Sequence, residues 1–305
     1  MIPSKMKLIF TLLMLTTSCA TEEGENQSEP ERSWVEICKD WDNWDKPAPP
    51  FPLYGNSYYV GTCGITAVLI TGSDGHILID GATEAGADVI ADNIKTLGFD
   101  ISDVKLLLHS HEHFDHVAGL AKLQKLSGAK LLASEKAAPV LRTGVSIEAD
   151  PQAGMHEPFP ASRVDGIVQD GEDVVLGDLV LRAIATPGHT PGALSWQWRS
   201  CVDGECKPIV FADSLSAISH DMYYFSDHPK YVASYKKGIA KLAALDCQIL
   251  VSSHPSASKM RDRLASENGL VNPNGCEMYA NKTLKYLNKR LLKEAKTKEQ
   301  ISAPK

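Results

Sequence analysis

At 305 residues the chain has room for one large α/β domain or two smaller ones. Its 43 % hydrophobic and 23 % charged residues are ordinary for a soluble globular protein. A formal charge of −7 argues against a nucleic-acid partner, since phosphate binding leaves a basic footprint. No apolar run approaches the roughly 18–20 residues that span a bilayer.

The chain opens on a leader. Lys5 and Lys7 precede a short apolar core, Leu8 to Leu15, and Thr16-Thr17-Ser18-Cys19-Ala20 supplies small residues for cleavage. Two readings stay open: ordinary cleavage around Ser18-Cys19-Ala20, or lipidation of Cys19, although Thr16 stands where a lipoprotein box wants Leu. Residues 1–20 therefore read as a signal peptide and residues 21–33 as a polar, disordered spacer. The expected destination is the periplasm, free or lipid-anchored to the outer membrane, with no other membrane contact required. Beyond Cys19 stand Cys38, Cys63, Cys201, Cys206, Cys247 and Cys276, an even set that suits disulfides in an oxidising compartment. Cys201 and Cys206 flank the turn residues Asp203-Gly204 and pair most readily. A Cys247–Cys276 pair would close a loop worth about 3–4 kcal/mol in the chain-entropy model.

"ITAVLITGSDGHILIDGA" reads as two strands joined at Ser73-Asp74-Gly75. Thr83 can cap a helix from about Glu84 to Leu97, ended by Gly98. "VKLLLHS" has the continuous apolar character of a strand buried on both faces. One helix follows on Val117, Leu120 and Leu123, and then a strand, "AKLLAS". From Arg142 to Asp165 the chain lacks a period and is rich in Gly, Pro and polar residues, as a lid over a site would be. Strands resume with "DVVLGDLVLRAIATPG", "ALSWQWRS" and "PIVFADS". A helix from about Lys230 to Leu245, the strand "CQILVSS" and a last helix from about Glu277 complete the chain. Two sheets packed face to face with helices outside would bury these runs. The basic outer face of the last helix (Lys282, Lys285, Lys289, Arg290, Lys293) reads most simply as a solvated surface, with a membrane contact as the alternative.

The densest chemistry lies in "HSHEHFDH". His111, His113, Asp115 and His116 form H-x-H-x-D-H. Leaving a strand, residues two apart point to one side, so His111 and His113 can converge on one ion. Asp115 and His116 fall where a helix begins and can turn toward a second. Imidazole with carboxylate suits zinc. His189 in "TPGHTPG" and His254 in "VSSHPSAS" each follow an apolar strand and complete a ligand set. His109 lies deeper in its strand and reads as structural. His76, His220 and His228 have no partners in sequence, whereas His156 could touch the site from the lid.

These segments resemble the metallo-β-lactamase superfamily. "WDKPAPPFPLYGNSYYVGTCGITAVLITGSDGHILIDGA", "FADSLSA" and "SSHPSAS" look like blocks of the third subclass of class B β-lactamases, over residues 34–298 as one domain with a short disordered tail at 299–305. The resemblance implies a four-layer αβ/βα sandwich of two mixed sheets with helices outside. It implies two zinc ions, one on His111, His113 and His189, the other on Asp115, His116 and His254. It further implies the pairs Cys38–Cys63, Cys201–Cys206 and Cys247–Cys276. Many relatives place a bridging Asp after the TPGHT turn; here the resemblance puts Ser214 and Ser216 on the substrate carboxylate and Asp213 behind a ligand. The expected activity is hydrolysis of the β-lactam ring of penicillins, cephalosporins and carbapenems by a zinc-activated water aimed by Asp115, conferring antibiotic resistance, in a monomer whose partner is that small molecule. The alternative is a hydrolase of thioesters or lactones, like glyoxalase II or a lactonase. A purely structural zinc site would be closed by Cys and His, and this set has no thiolate. Ser256 to Lys259, "SASK", fits the S-x-x-K of serine β-lactamases, but the S-D-N and K-T-G elements that must accompany it are missing.

Overall fold

The computed structural model describes residues 29–302. The chain first builds a seven-stranded sheet, its strands adjacent in chain order: β1 (Phe51–Tyr54), β2 (Ser57–Tyr59), β3 (Val68–Gly72), β4 (Gly75–Ile79), β5 (Val104–Leu108), β6 (Lys130–Ser134) and β7 (Val164–Val168). β1 to β4 pair antiparallel and β4 to β7 parallel. A five-stranded sheet follows: β8 (Asp173–Leu176), β9 (Leu179–Ala185), β10 (Leu194–Val202), β11 (Glu205–Ala212) and β12 (Ile249–Ser252), in the order β12-β11-β10-β9-β8. Only its β11–β12 pair is parallel.

Strand periodicity explains the layering. On β3 and β4, Val68, Ile70, Ile77 and Ile79 point inward, and on β11 and β12 so do Ile209, Phe211, Ile249 and Val251; together they form the core between the sheets. The alternate residues are apolar too. Leu69, Leu78 and Leu107 meet Ile90 and Ile94 of helix α2 (Gly86–Thr96) and Leu120 and Leu123 of a later helix. Val210, Ala212 and Leu250 meet Tyr235, Ile239 and Leu242 of one outer helix and Tyr279 and Leu287 of another. Sheets apolar on both faces need covers on both, and the result is four layers, αβ/βα. Trp196 Nε1 donates to His109 O (2.9 Å) and Trp198 Nε1 to Ser57 Oγ (2.9 Å), stitching one sheet to the other.

Two hairpins follow their turn residues. β3 and β4 join at Ser73-Asp74, and β10 and β11 at Asp203 and Gly204, both with positive φ (50° and 84°) as a type I′ turn requires. The structure forms the disulfides Cys38–Cys63, Cys201–Cys206 and Cys247–Cys276.

Several boundaries differ from expectation. Helix α1 (Glu29–Ile37) begins inside the segment read as spacer. Pro30 suits a first helical turn, Glu29 and Glu31 favour its positive end, and Trp34 is buried edge-on against Phe51 and Tyr59. The leader, Cys19 and residues 21–28 lie outside the described residues. The single helix after the histidine cluster is two, α3 (Phe114–Val117) and α4 (Leu120–Ser127). Between them Gly119 N donates to Ala82 O (3.0 Å), so the chain leaves the helix to bond the loop after β4. The lid narrows to residues 144–163, because α5 (Ala138–Thr143) and β7 take its ends. After α6 (Pro229–Ala243) and α7 (Met260–Leu264), the last helix, α8 (Gly275–Ser302), runs through part of the expected tail. No helix among the described residues is long and apolar enough to cross a membrane.

Candidate metal centre

The strands that carry the site run the same way within each sheet, so their C-terminal ends share one edge. β4 delivers Asp80; β5 delivers His111, His113, Asp115 and His116; β9 delivers His189; β11 delivers Asp213, Ser214 and Ser216; β12 delivers His254. Loops beyond carboxyl ends of strands are where α/β folds build sites. The TPGHT turn needs its glycine: Gly188 has φ 159°, and a Cβ there would run into the Tyr235 ring.

All six sequence-predicted ligands come together. His111, His113 and His189 form one group of donor atoms within 4.8 Å of one another, and His111, Asp115 and His116 a second. His254 joins the second side, its Nε2 3.3 Å from His116 Nε2 and 3.4 Å from Asp115 Oδ2. The six are buried or nearly so.

The outer nitrogen of each imidazole decides what the inner one can do. His116 Nδ1 faces Asp80 Oδ2 (3.1 Å), and His254 Nδ1 faces Gly64 O (3.2 Å). His189 Nδ1 faces Ser216 O (3.0 Å) and Ser216 Oγ (2.9 Å), and His113 Nε2 faces Asp150 Oδ2 (3.0 Å). Those partners accept, so these outer nitrogens carry protons and leave the inner ones to offer lone pairs to a metal that displaces any second proton. Yet the inner nitrogens confront each other: His113 Nδ1 and His189 Nε2 at 3.2 Å, His116 Nε2 and His254 Nε2 at 3.3 Å. Two lone pairs at that distance repel unless a proton or a metal ion lies between them. Zinc bonds of about 2.0–2.1 Å at tetrahedral angles separate their donor atoms by about 3.3 Å. Asp115 Oδ2, 3.2 Å from His116 Nε2, obeys the same spacing. His111 Nε2 is buried with no hydrogen-bond partner, an orphan that a metal satisfies. The residues present fit zinc.

Electrostatics agree. Burial, then the surrounding imidazoles, push His111 and His189 well below the usual histidine range, so both stay neutral. Burial opposes charge on His116 as well, but Asp115 and Asp80 outweigh it and push it up to about 10, a proton that a metal would replace. Burial raises the Asp115 carboxyl, yet His116, His254 and His113 prevail and hold it below the usual carboxylate range.

Asp213 stands behind the site. Its Oδ1 lies 2.8 Å from His111 Nδ1, the outer nitrogen, without hydrogen-bond alignment. Ser216 is occupied with His189, and Ser214 Oγ pairs with Ser253 Oγ at 2.9 Å. His156 lies at the rim, its ring 6.0 Å from that of His113. Trp41 and Trp44 flank His254 with ring centroids at 6.2 and 5.9 Å. His109 is fully buried, its Nε2 accepting from Ser134 N, and takes no part.

Sequence reasoning missed three carboxylates. Asp80 accepts from Ser110 N (2.6 Å) and Ser110 Oγ (2.7 Å) besides facing His116, and its place just past β4 was the signal. Asp150 sits in the lid, where nothing in the pattern marks it. Glu112, between two ligands, accepts from Thr190 Oγ1 (2.6 Å) and Gly192 N (2.8 Å), tying the H-x-H segment to the turn that carries His189.

Comparison with known proteins settles the family. A model described as "Metallo-beta-lactamase superfamily" matches residues 60–254, more than half of the chain. The chain belongs to this superfamily. Solved structures that this metallo-β-lactamase-family chain resembles include the MIM-2 metallo-β-lactamase, at 54 % identity and TM-score 0.85 over 88 % of this chain and 99 % of that one. Another is BJP-1, a subclass B3 metallo-β-lactamase of Bradyrhizobium japonicum, at 34 % identity and TM-score 0.76 over 83 % and 97 %. Subclass B3 is thus the group it resembles. Among curated sequences it matches a hydroxyacylglutathione hydrolase of Rhodopseudomonas palustris, 26 % identical over 65 % of this chain and 69 % of that protein. It spans about half the length of two other curated relatives, 48 % of a probable metallo-hydrolase of Burkholderia pseudomallei and 52 % of a hydroxyacylglutathione hydrolase of Bradyrhizobium. The chain is a metallo-hydrolase of this superfamily.

Proposed function

We propose that the chain is an exported di-zinc β-lactamase that confers antibiotic resistance, with His111, His113 and His189 on one zinc and Asp115, His116 and His254 on the other. The observation that carries this is the close approach of facing imidazole nitrogens at 3.2 and 3.3 Å, one pair in each donor group, the spacing of two ligands on one zinc. Zinc held there supplies a Lewis acid for the lactam carbonyl and lowers the pKa of water toward neutrality.

The chain's own residues do the rest. Asp115, ionised and buried, would take a hydrogen bond from the attacking water and aim its lone pair. Ser214 and Ser216 would hold the substrate carboxylate, while Ser216 also fixes the His189 ring. The lid at 144–163 and the Trp41–Trp44 wall would limit water around the reacting ring. Three disulfides support an oxidising compartment, hence the periplasm.

Thioester hydrolysis is the second reading, favoured by the match to hydroxyacylglutathione hydrolases. Asp213 weighs against it, because it sits behind His111 rather than bridging the two donor groups. The zinc-loaded protein should hydrolyse a carbapenem, stop on adding a chelator, and leave a glutathione thioester nearly untouched. Turnover of the thioester alone would reverse the assignment.

A further inference from the structure

We infer that the face made by α8 and the loop after β11 docks on an anionic lipid surface. α8 is 28 residues long and, with Leu215 to Ile218, encloses a groove of about 870 Å³. Lys282, Tyr286, Lys289, Lys293 and Lys296 follow at spacings of three and four along the groove and so share one side of the helix. The stripe from Tyr279 to Gln300 is about 30 Å long, far more than a bicyclic antibiotic needs.

Its composition is that of a membrane interface. Trp41, Ile218, Tyr286 and Leu292 are 69 %, 52 %, 54 % and 65 % exposed and line the same groove as the lysines. Aromatic and aliphatic side chains beside long cationic ones suit the boundary between acyl chains and headgroups, where lysine stems lie along apolar surface and ammonium groups reach phosphate. Charge is concentrated here: α8 carries seven Lys and Arg against three Glu, on a chain of net charge −7. Arg290 pairs with Glu294 and Lys298 with Asp227, whereas Lys289, Lys293 and Lys296 have no carboxylate partner among the described residues. A nucleic acid would find the apolar floor useless and the remaining surface repulsive. The segment entering the domain arrives at this face too, with Trp41 N donating to Ser256 Oγ (2.5 Å) and Lys282 Nζ to Ala257 O (2.9 Å). Ser214 and Ser216 line the groove and Trp41 touches His254, so docking sets the metal centre's mouth beside the membrane.

The test uses the mature chain from Thr21, without the leader or Cys19, so that neither the leader's apolar core nor a lipid can mediate binding, loaded with zinc. It is sedimented with vesicles of phosphatidylcholine alone or containing phosphatidylglycerol. Binding is expected to the phosphatidylglycerol vesicles, to weaken in high salt, and to fall about 100-fold in Lys289→Glu/Lys293→Glu/Lys296→Glu. That variant should keep its melting temperature and its turnover in solution. Equal binding to both vesicle types, no binding, insensitivity to salt in the parent chain, or undiminished binding by the triple variant each overturns the inference.

Discussion

The six inner donors are fixed by what lies one bond further out. Asp80, Asp150, Ser216 and the Gly64 carbonyl each set the tautomer of one histidine and thereby choose which nitrogen faces inward. Asp150 has the most to reveal, because it comes from the lid. Asp150→Asn replaces a charged acceptor with an amide that can present either end to His113 Nε2. Zinc affinity of the group containing His113 should fall about 10- to 100-fold, read by competition with a chromophoric chelator, while the affinity of the other group holds. An equal loss at both would show that the lid, not this bond, had been disturbed. Glu112 acts differently, since it touches no inner donor. Its two oxygens hold Thr190 and Gly192, so Glu112→Gln keeps one acceptor and sets an amide against the Thr190 hydroxyl. A charge-assisted bond between buried groups is worth about 1.5–3 kcal/mol, and urea unfolding should register a loss of that order. A neutral result would mean that Thr190 simply reverses its hydroxyl.

Helices reach the site through its loops. Tyr235 of α6 donates to Leu215 O (2.7 Å), and Tyr279 of α8 donates to Ser214 O (2.7 Å) and Asp213 O (3.0 Å), clamping the segment after β11 from outside. The Cys247–Cys276 bridge ties the start of β12 to the start of α8 and so holds that clamp. It closes a loop of separation 29, against 5 for Cys201–Cys206. In the chain-entropy model the first is worth about 3.6 kcal/mol and the second about 2.1 kcal/mol. Replacing both cysteines of a pair with Ser should therefore cost more at 247 and 276, measured by urea midpoints. The reverse order would show that the hairpin's own bridge carries native-state packing the model ignores. The same elements show where sequence was readable. β3, β4, β11 and β12 were plain because sheets covered on both faces need uninterrupted apolar runs. Both hairpin turns announced themselves through Asp and Gly. α1 was hidden because nine residues with one buried Trp look like any acidic spacer until Phe51 and Tyr59 are in place. The break between α3 and α4 was invisible for a similar reason: the carbonyl that draws Gly119 away belongs to Ala82, distant in sequence. Asp150 escaped for want of any period in the lid.

The centre joins two halves of the molecule. The first sheet supplies His111, His113, Asp115 and His116, the second His189 and His254, and each donor group spans the boundary between them. A metal held there would therefore also clamp the two halves together. Each site filled at a free zinc concentration 1,000-fold above its Kd adds about 4 kcal/mol to folding stability, roughly 10 °C in melting temperature for a domain of this size. Chelation should lower the melting temperature in two increments and abolish turnover, and two equivalents of zinc should restore both. pH enters with a definite sign. Without metal, Asp115 and Asp80 keep His116 protonated up to about 10, so zinc must displace that proton. Apparent affinity at this group should climb with pH between 6 and 9, about tenfold per unit for each proton released, and calorimetry in buffers of different ionisation enthalpy counts those protons. An affinity flat across this range, or a melting temperature indifferent to chelator, would mean that the two halves meet without a cation between them.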